Sequence, residues 1–343
     1  MKAPAAVFSP VISVLGSELK NFGNITVSRA CDGVGMNGLT TSQISFSVPG
    51  EITAPRAAEV ELTGVGSLPK YYIANRPLSN GVTQVTCYDR MAYSDKAFPY
   101  SDFNANTIPI ADIMRKIADV CGVGNCVGVP SWITGMSKTK LQGTCADIMT
   151  AIAETACGFW RVSYDNNYEF VPFGSFTATM TVNKHTALNI GNSYSVQGVQ
   201  GTDGSGNVYT AGSTALHSYD GIIIDSDLIT GEGVSEIWTR AKDTVMTAVS
   251  CEKSIVDSIP EINTLVTFGQ GGSHIINNIS CSVSAGGIVA SLQGNAPSGD
   301  EIGTRGIISR KLSNSVKIGK QTGSQIITAY QGIVRKSEGQ YGG

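Results

Sequence analysis

The sequence predicts a β-rich α+β fold, in which a small α+β unit is set into a chain built mainly of strands. Three observations lead to this prediction. Short β-branched and aromatic runs, separated by turn residues, fill the first hundred residues. Apolar residues then recur at spacings of three and four, the helical period, in two segments between residues 101 and 175. Strand-like runs resume after residue 176.

The first hundred residues contain six candidate strands. The segment SQISFSVPGE has the clearest pattern, because Ile44, Phe46 and Val48 alternate with polar residues. Such alternation is typical of an antiparallel sheet or barrel with one buried face. The six predicted strands are 11–15, 25–29, 43–48, 59–64, 71–75 and 82–88.

The segment NTIPIADIMRKIADVCGVG predicts an amphipathic helix. Its apolar stripe runs from Ile110 to Cys121 at helical spacing. Pro109 stands at the entry, where its missing N–H is harmless, and Gly122 stands at the exit.

A second helix and a hairpin complete this unit. LQGTCADIMTAIAETACGFW carries an apolar stripe between a candidate N-cap, Thr144, and a stop, Gly158. The following FWRVSYDNNYEFVPFG alternates on both sides of residues 165–167, which predicts a β-hairpin.

The rest of the chain is predicted to be mainly strands. GTDGSGNVYTAGSTA is polar and Gly-rich, which favours a long surface loop. VSEIWTRAKDTVMTAV places Ile237, Ala241, Val245 and Ala248 on one helical face, so it predicts a helix, although its Thr and Val content would also suit a strand. From residue 294 onward, the composition suggests a segment that orders only against a partner. The predicted strands are 177–182, 193–200, 222–224, 264–268, 274–284 and 288–292.

The composition favours a protein whose surface meets other proteins. Charged residues make up 15% of the chain, against roughly 25% in ordinary soluble domains, and there are 40 glycines. A net charge of −3 with scattered Lys and Arg gives no basic footprint, so sequence-specific nucleic-acid binding is not expected. The N-terminus does not resemble a signal peptide, and no apolar stretch reaches the length of a membrane span. We expect a chain made in, and not exported from, the cytoplasm.

Eight cysteines are interpreted as small buried hydrophobic residues, because most lie within apolar periodic segments. A zinc site is the alternative for four of them. Its ligands are usually paired with two to four residues between them, and only the first of the two pairs fits. No metal or other cofactor is therefore expected. The eight are Cys31, Cys87, Cys121, Cys126, Cys145, Cys157, Cys251 and Cys281, of which Cys121, Cys126, Cys145 and Cys157 are the zinc candidates.

The sequence contains the glycine spacing of a nucleotide-binding motif but not the helix that the motif needs. DGVGMNG spaces Gly33, Gly35 and Gly38 as in a dinucleotide fingerprint, which needs a helix directly after it. A predicted strand follows instead, so the glycines are interpreted as a turn.

No catalytic constellation is recognised. His185, His217 and His274 are each isolated in sequence, without a nucleophile elbow or paired carboxylates, and are interpreted as turn or strand-edge residues. DGSGN, from Asp203 on, resembles the start of a calcium loop, but Thr214 stands where an EF-hand needs its bidentate Glu. No catalytic, cofactor-binding or metal-binding residue is predicted, and the chain is not expected to be an enzyme.

The order of elements resembles the baseplate hub proteins of contractile phage tails and related contractile injection particles. Four segments carry the resemblance, covering roughly residues 85–175 and 234–295. They are VTCYDRMAYSDKAF, IADIMRKIADVCGV, TCADIMTAIAETACGFWRVSYDNNYEFVPF and IPEINTLVTFGQGGSHIINNISCSVSAGGIVASLQGN.

The resemblance implies two tube-like antiparallel β-barrel domains with an inserted small α+β domain. The first barrel would span residues 1–100, completed by strands from 176–200, and the inserted domain residues 101–175. A second barrel with one helix would span residues 201–320, followed by a C-terminal tail, 321–343.

The resemblance also implies a role and partners. Such hubs are trimers that present six similar barrels to the hexameric tail tube, adapt it to the central spike and line the axial channel. Baseplate wedge and tape-measure proteins would be further partners. The chain would assemble in the bacterial cytoplasm and end in a virion or phage-tail-like particle. A lumen without basic residues would let DNA or a tape-measure protein pass without sticking.

Three alternatives stay open. Another tail component, such as a distal-tail or tube protein, would form hexameric rings and usually lack the inserted helical unit. A secreted carbohydrate-binding or adhesin module would need export. A hydrolase with dispersed catalytic residues would need a constellation that the sequence does not display.

Overall fold

A computed structural model gives the structure of the chain and describes residues 9–31, 38–176, 178–213, 221–294 and 308–311. The predicted fold class is confirmed: strands dominate, three α-helices occur among the described residues, and the largest element is an antiparallel sheet. No helix of the described part is both long and apolar enough to cross a membrane.

The helices are α1 (Ile110–Cys121), α2 (Cys145–Ala156) and α3 (Gly231–Ala241). The strands of the first hundred residues are β1 (Val11–Val14), β2 (Ser17–Glu18), β3 (Gly23–Cys31), β4 (Thr40–Pro49), β5 (Glu59–Thr63), β6 (Tyr71–Asn75), β7 (Leu78–Ser79) and β8 (Val82–Tyr88). Those up to residue 202 are β9 (Thr107–Pro109), β10 (Cys126–Val127), β11 (Gly135–Ser137), β12 (Gly158–Val162), β13 (Tyr168–Pro172), β14 (Ala178–Thr181), β15 (Thr186–Ser195) and β16 (Gly198–Thr202). The remainder are β17 (Val208–Gly212), β18 (Gly221–Asp225), β19 (Val245–Val256), β20 (Thr264–Thr267), β21 (Ser273–Ile276), β22 (Asn278–Ser284), β23 (Gly287–Gly294) and β24 (Ile308–Lys311).

A twelve-stranded antiparallel sheet joins β1–β8 to four later strands, β15, β19, β22 and β23. Its order is β15-β19-β23-β22-β3-β4-β8-β6-β5-β1-β2, with β7 attached to β8. The pairing of β22 with β3, in which Cys281 lies opposite Val27, connects strands that are distant in sequence. The predicted alternation of β4 is confirmed, because Ile44 and Phe46 are buried against the core.

The first core lies under this sheet and draws on both parts of the chain. Side chains of β3, β4 and β8 pack there with residues of β19, β22 and β23. The small sheet β14-β20-β21 adds Val266, and Phe268 follows it into the core. Strand pairing and core packing thus fold β1–β8 and β19–β23 as one body.

The second core contains the two predicted helices and the predicted hairpin. α1 and α2 pack with β12 and β13, where Trp160 and Tyr168 are fully buried. Trp160 Nε1 donates to Met149 O of α2 at 2.8 Å. β16, β18 and α3 share this core, because Val199, Ile222 and Ile237 belong to it.

Three helix ends follow the predicted signals, whereas α2 ends one residue before the predicted stop Gly158, with Cys157 in the left-handed conformation. α1 begins after Pro109 and ends at Gly122 in the left-handed conformation, with φ of 71°. Thr144 caps α2 in a capping box: its Oγ1 accepts from the N–H of Asp147, and Asp147 Oδ2 accepts from the N–H of Thr144. Both helix predictions are confirmed.

The predicted helix over residues 234–249 is only half right. α3 ends at Ala241, and Val245 begins β19, a twelve-residue strand. β19 pairs with β15 from Val245 to Glu252 and with β23 from Val249 to Val256, so its Val and Thr residues gain cross-strand neighbours. Sheet pairing outweighs the helical spacing of Val245 and Ala248.

The predicted long loop after residue 200 is wrong where the structure describes it. β16 and β17 form a hairpin in which Thr202 lies opposite Val208. The turn is organised by the Asp203 carboxylate, which accepts from the N–H groups of Ser205 and Asn207 at 2.9 Å each. A local side-chain turn therefore replaces the loop that the glycine content suggested.

Residues 176–200 pair mainly with the later strands. β14 pairs with β20, and β15 pairs with β19. The domain boundaries and the closure of strands into two barrels stay predictions. The C-terminal tail, 321–343, lies outside the described residues.

Candidate assembly surface

One face of the large sheet carries two rows of uncharged side chains across five neighbouring strands, and we call it the hydroxyl face. The first row follows the pairing register through Val289, Ser282, Thr26, Ser45 and Thr86. The second row follows it through Ser291, Ser280, Ser28, Gln43 and Tyr88.

The hydroxyl face arises from the alternation of the strands. In β22, for example, Ile279, Cys281 and Val283 are buried, so the serines between them point away from the core. Most of the side chains are short, and Thr26 Oγ1 and Ser45 Oγ hydrogen-bond across the strands at 2.6 Å. The result is a broad surface of small hydroxyl groups.

Electrostatically, the hydroxyl face is neutral. It contains no Lys, Arg, Asp or Glu, and its one ionisable group is Tyr88. Burial raises the pKa of the Tyr88 phenol above 10.0, so it stays protonated at neutral pH. Such a face forms hydrogen bonds but does not attract phosphate groups strongly.

An apolar pair lies at one end of the first row of this face. Val289 of β23 lies opposite Ile255 of β19, and their exposed fractions are 42% and 54%. Exposed apolar side chains beside a neutral polar surface are typical of protein contacts rather than of a freely solvated face.

A polar junction, formed by Arg29, Asp89, Arg161 and Glu261, joins the first core to the inserted unit. Arg161 of β12 pairs with Glu169 of β13 at 2.8 Å and with Glu261. The four residues line a cavity of about 30 Å³. Sequence reasoning missed the junction, because its members are far apart in the chain and no local motif connects them.

Arg29 is the central cation of the polar junction. It is 7% exposed, and its Nη1 donates to Pro260 O and its Nε to Ser42 Oγ, both at 3.3 Å. Ser42 Oγ also lies 2.8 Å from the hydroxyl of the buried Tyr71. Arg29 and Arg161 thus hold the loop at residues 260–261 from two different strands.

Asp89 is the buried carboxyl group of the junction. Burial raises its pKa from the ordinary 3.8 to about 7, although the N–H groups of Ser42 and Met91 and the charge of Arg29 act in the opposite direction. Its two oxygens accept those N–H groups at 2.9 and 3.0 Å. Asp89 therefore fixes the end of β8 to β4 and caps the 3₁₀ turn that follows.

All eight cysteines are buried, which confirms the prediction that they act as small hydrophobic residues. The thiols of Cys121 and Cys145 hydrogen-bond to each other, which lowers the pKa of Cys121 and raises that of Cys145. Within the described ranges, no group of three or more His, Cys, Asp or Glu is arranged to hold a metal ion.

Two of the three histidines contact the same aromatic side chain. His185 and His274 both contact Phe268, with ring centroids 5.8 and 6.3 Å from it. His274 Nε2 lies 2.7 Å from Gly271 O. His217 lies outside the described residues.

The other candidate motifs have structural roles where they are described. Asp203 accepts from Asn207 Nδ2 and the Tyr209 hydroxyl as well as from two backbone N–H groups, and these donors lower its pKa to about 2. Its lone pairs are thus already occupied within the turn. Gly33 and Gly35 lie outside the described residues, and Gly38 leads directly into strand β4, as predicted.

No protein-family model and no curated protein matches the chain. Among solved structures, it is similar to the 43 kDa tail protein of prophage MuSo2 from Shewanella oneidensis, with a TM-score of 0.52 and 14% identity. That match covers 85% of this chain and 99% of the tail protein. It is also similar to prophage tail protein gp18 from Listeria monocytogenes, with a TM-score of 0.51 and 11% identity, covering 86% of this chain and 97% of the other.

Both matches extend along nearly the whole length of the two tail proteins and along most of this chain. At these identities, the likeness concerns the fold. The chain therefore has the fold of these two phage tail proteins.

Proposed function

We propose that this protein is a structural component of a phage-type tail, and specifically its baseplate hub. The observation that carries the proposal is the fold likeness to two prophage tail proteins, each covered over at least 97% of its length. The inserted α+β unit, with α1, α2 and the β12–β13 hairpin, agrees with the hub resemblance of the sequence.

In this proposal the chain forms a trimer that adapts the hexameric tail tube to the central spike. The sheet would contribute to two tube-like barrels, with the inserted unit between residues 101 and 175. Wedge and tape-measure proteins are the further proposed partners, and the assembled particle is a virion or a phage-tail-like particle formed in the bacterial cytoplasm. The proposed role is mechanical rather than catalytic.

The neutrality of the hydroxyl face supports a position against the axial channel. Its two rows offer hydroxyl and amide groups but no charged side chain. A channel wall of this kind exerts little electrostatic hold on a passing polyanion. Several Lys and Arg residues of the described part form ion pairs elsewhere, as Arg161 does in the polar junction.

Native mass spectrometry of the purified full-length chain, alone and with the tube protein, tests the proposal. We expect a trimer alone and a complex of one trimer with one tube hexamer. A hexameric ring of this chain would favour a distal-tail or tube protein instead. A chain that stays monomeric with tube protein present would contradict the proposal.

A further inference from the structure

The two helices of the inserted unit meet where α1 ends and α2 begins. The 3₁₀ turn that follows β8 ends at Lys96, which joins the two helix ends. Lys96 O accepts the N–H of Cys145, the first residue of α2, at 2.9 Å. The Lys96 side chain reaches back to α1, where its Nζ donates to Val120 O at 3.0 Å. One residue therefore holds the last turn of α1 beside the first turn of α2.

Two cysteine thiols are in contact at this meeting point. Cys121 is the last residue of α1, Cys145 is the first residue of α2, and both residues are fully buried. The Cys145 thiol hydrogen-bonds to the Cys121 sulfur, and the Cys121 thiol donates to Tyr93 O at 3.6 Å. Sulfur atoms in such contact need only a small side-chain movement to form a disulfide. The fold thus brings together two cysteines that lie far apart in the sequence.

Cys121 is the more acidic thiol of the pair. The hydrogen bond from Cys145 lowers the pKa of Cys121 against the effect of burial, and the positive charge of Lys96 acts in the same direction as the hydrogen bond. By contrast, burial raises the pKa of Cys126 and that of Cys281 to about 12. The thiolate is the form that reacts with oxidants, so Cys121 should react before these other buried cysteines.

Only a thin layer of protein covers the pair. Gly122, which follows Cys121, is exposed, and Thr144, which precedes Cys145, is half-buried. Hydrogen peroxide is close to water in size, and helix ends open locally more easily than the middles of helices. A small oxidant therefore needs only local opening, and not unfolding of the protein, to reach the two sulfur atoms.

We propose that Cys121 and Cys145 form an oxidation site, at which a peroxide converts the two thiols into a disulfide that stabilises the inserted unit. The Cys121 thiolate attacks one oxygen of hydrogen peroxide, the O–O bond breaks and hydroxide leaves, so Cys121 becomes a sulfenic acid. The Cys145 sulfur then attacks the Cys121 sulfur, the S–O bond breaks, and the proton of the Cys145 thiol leaves with the hydroxyl group as water. The proton given up by Cys121 neutralises the hydroxide. Two thiols and one peroxide thus yield one disulfide and two water molecules.

The disulfide would tie the end of α1 to the start of α2 and close residues 122–144 into a covalent loop. Such closure restricts the unfolded chain and so stabilises the folded one. Thiols stay reduced in the cytoplasm and oxidise outside it. The inserted unit would therefore be cross-linked after a particle leaves the cell. This timing rests on the proposed function, whereas the disulfide itself is tested on the purified protein.

Peptide mapping of the full-length chain tests the oxidation site. The purified, reduced protein is treated with hydrogen peroxide, quenched, alkylated in denaturant and digested without reductant. We expect the main disulfide to join Cys121 to Cys145, and the Cys121 thiol to be lost at least about tenfold faster than the Cys281 thiol. Absence of this disulfide, or equal rates of loss at Cys121 and Cys281, would overturn the proposal.

Cys126 is the nearest alternative partner, because it interacts electrostatically with both thiols of the pair. Cys126→Ala should therefore form the disulfide between Cys121 and Cys145 as the wild type does. In protein unfolded with urea before oxidation, the preference for Cys145 should disappear, since Cys126 is closer to Cys121 in the sequence. A disulfide mainly between Cys121 and Cys126 in the folded wild type would contradict the assignment.

Thermal unfolding measures what the disulfide does to the fold. The oxidised wild type should unfold about 3–6 °C above the reduced protein, because the closed loop restricts the unfolded chain. Cys145→Ala, treated with peroxide in the same way, is the control and should show no such rise. Equal midpoints for the oxidised and reduced wild type would contradict the stabilising role. These measurements need no tube protein, so their outcome is independent of the hub proposal.

Discussion

Asp89 gives the protein a pH dependence that can be measured. Its folded pKa of about 7 lies above the ordinary 3.8 of an exposed Asp, so between these values the folded state binds more protons than the unfolded state. The stabilisation is complete below pH 3.8 and is lost as the pH rises through about 7. We expect the free energy of unfolding to fall over this window, with a slope of up to about 1.4 kcal/mol per pH unit from this one group. Urea denaturation at several pH values measures it.

Two variants isolate this contribution. Asp89→Asn should remove the slope between pH 4 and 7, whatever its effect on absolute stability. Asp203→Asn is the control of opposite sign, because hydrogen bonds lower the pKa of Asp203 to about 2 and its stabilisation is lost only as the pH falls towards that value. An unchanged slope in Asp89→Asn would show that Asp89 does not titrate in this window.

Arg29 connects the sheet to the loop at residue 260. Arg29→Met removes the donors to Pro260 O and Ser42 Oγ while keeping much of the side-chain volume. Pro260 O then loses this buried donor, and Ser42 Oγ keeps only its contact with the Tyr71 hydroxyl, so the protein should be destabilised by about 1–3 kcal/mol. The control is Arg115→Met on α1, where the side chain is 72% exposed and a change within about 0.5 kcal/mol is expected. Urea denaturation compares the two, and equal effects would contradict a supporting role for Arg29.

At the scale of elements, sequence patterns correctly predicted those strands and helix ends that depend on residues close together in the chain. The alternation around Ile44 and the cap at Thr144 act within a few residues, and the strands and helices that they predict are present. The end of α3 could not be predicted in the same way. Val245 and Ala248 keep the helical spacing, but they belong to β19, where Val245 lies opposite Ser195 of β15 and the strand continues from Val249 into its pairing with β23.

The polar junction escaped prediction for a related reason. Its residues come from β3, from the turn after β8, from β12 and from the loop before β20. Only the folded chain brings these segments together. The hydroxyl face was visible in part, because the alternating serines of SQISFSV were recognised, but its extent depends on the register of five strands.

The packing of α3 makes Gly233 a test of how this helix meets the inserted unit. A Cβ atom there would lie 2.8 Å from the ring of Trp132, which is 5% exposed and has little room to move. Alanine gains about 1 kcal/mol in helix propensity, but overpacking of this kind costs about 1–3 kcal/mol. We expect Gly233→Ala to destabilise the protein by about 1 kcal/mol. Thermal unfolding should show a lower midpoint, whereas Ser235→Ala on the exposed side of α3 should change stability by no more than about 0.5 kcal/mol.

At the scale of the whole molecule, the absence of charge on the hydroxyl face would ease the passage of DNA only if that face lines the axial channel. If the face lines a channel in a trimer, one lysine per copy places three cations around the same opening. DNA entering that opening would release counterions into solution as the three lysines neutralise its phosphates, which raises its affinity and makes binding more dependent on salt. The same lysine on an outer helix would spread the three charges over the outside of the particle.

Ser282→Lys and Ser235→Lys form this matched pair. Ser282 lies in the first row of the hydroxyl face, Ser235 lies on the exposed side of α3, and each variant adds the same charge. We expect Ser282→Lys trimers to bind linear double-stranded DNA at least about tenfold more tightly than Ser235→Lys trimers at about 50 mM salt, with a steeper loss as salt rises. Fluorescence anisotropy over a salt series measures both. Equal affinities would contradict a position of the hydroxyl face against the channel.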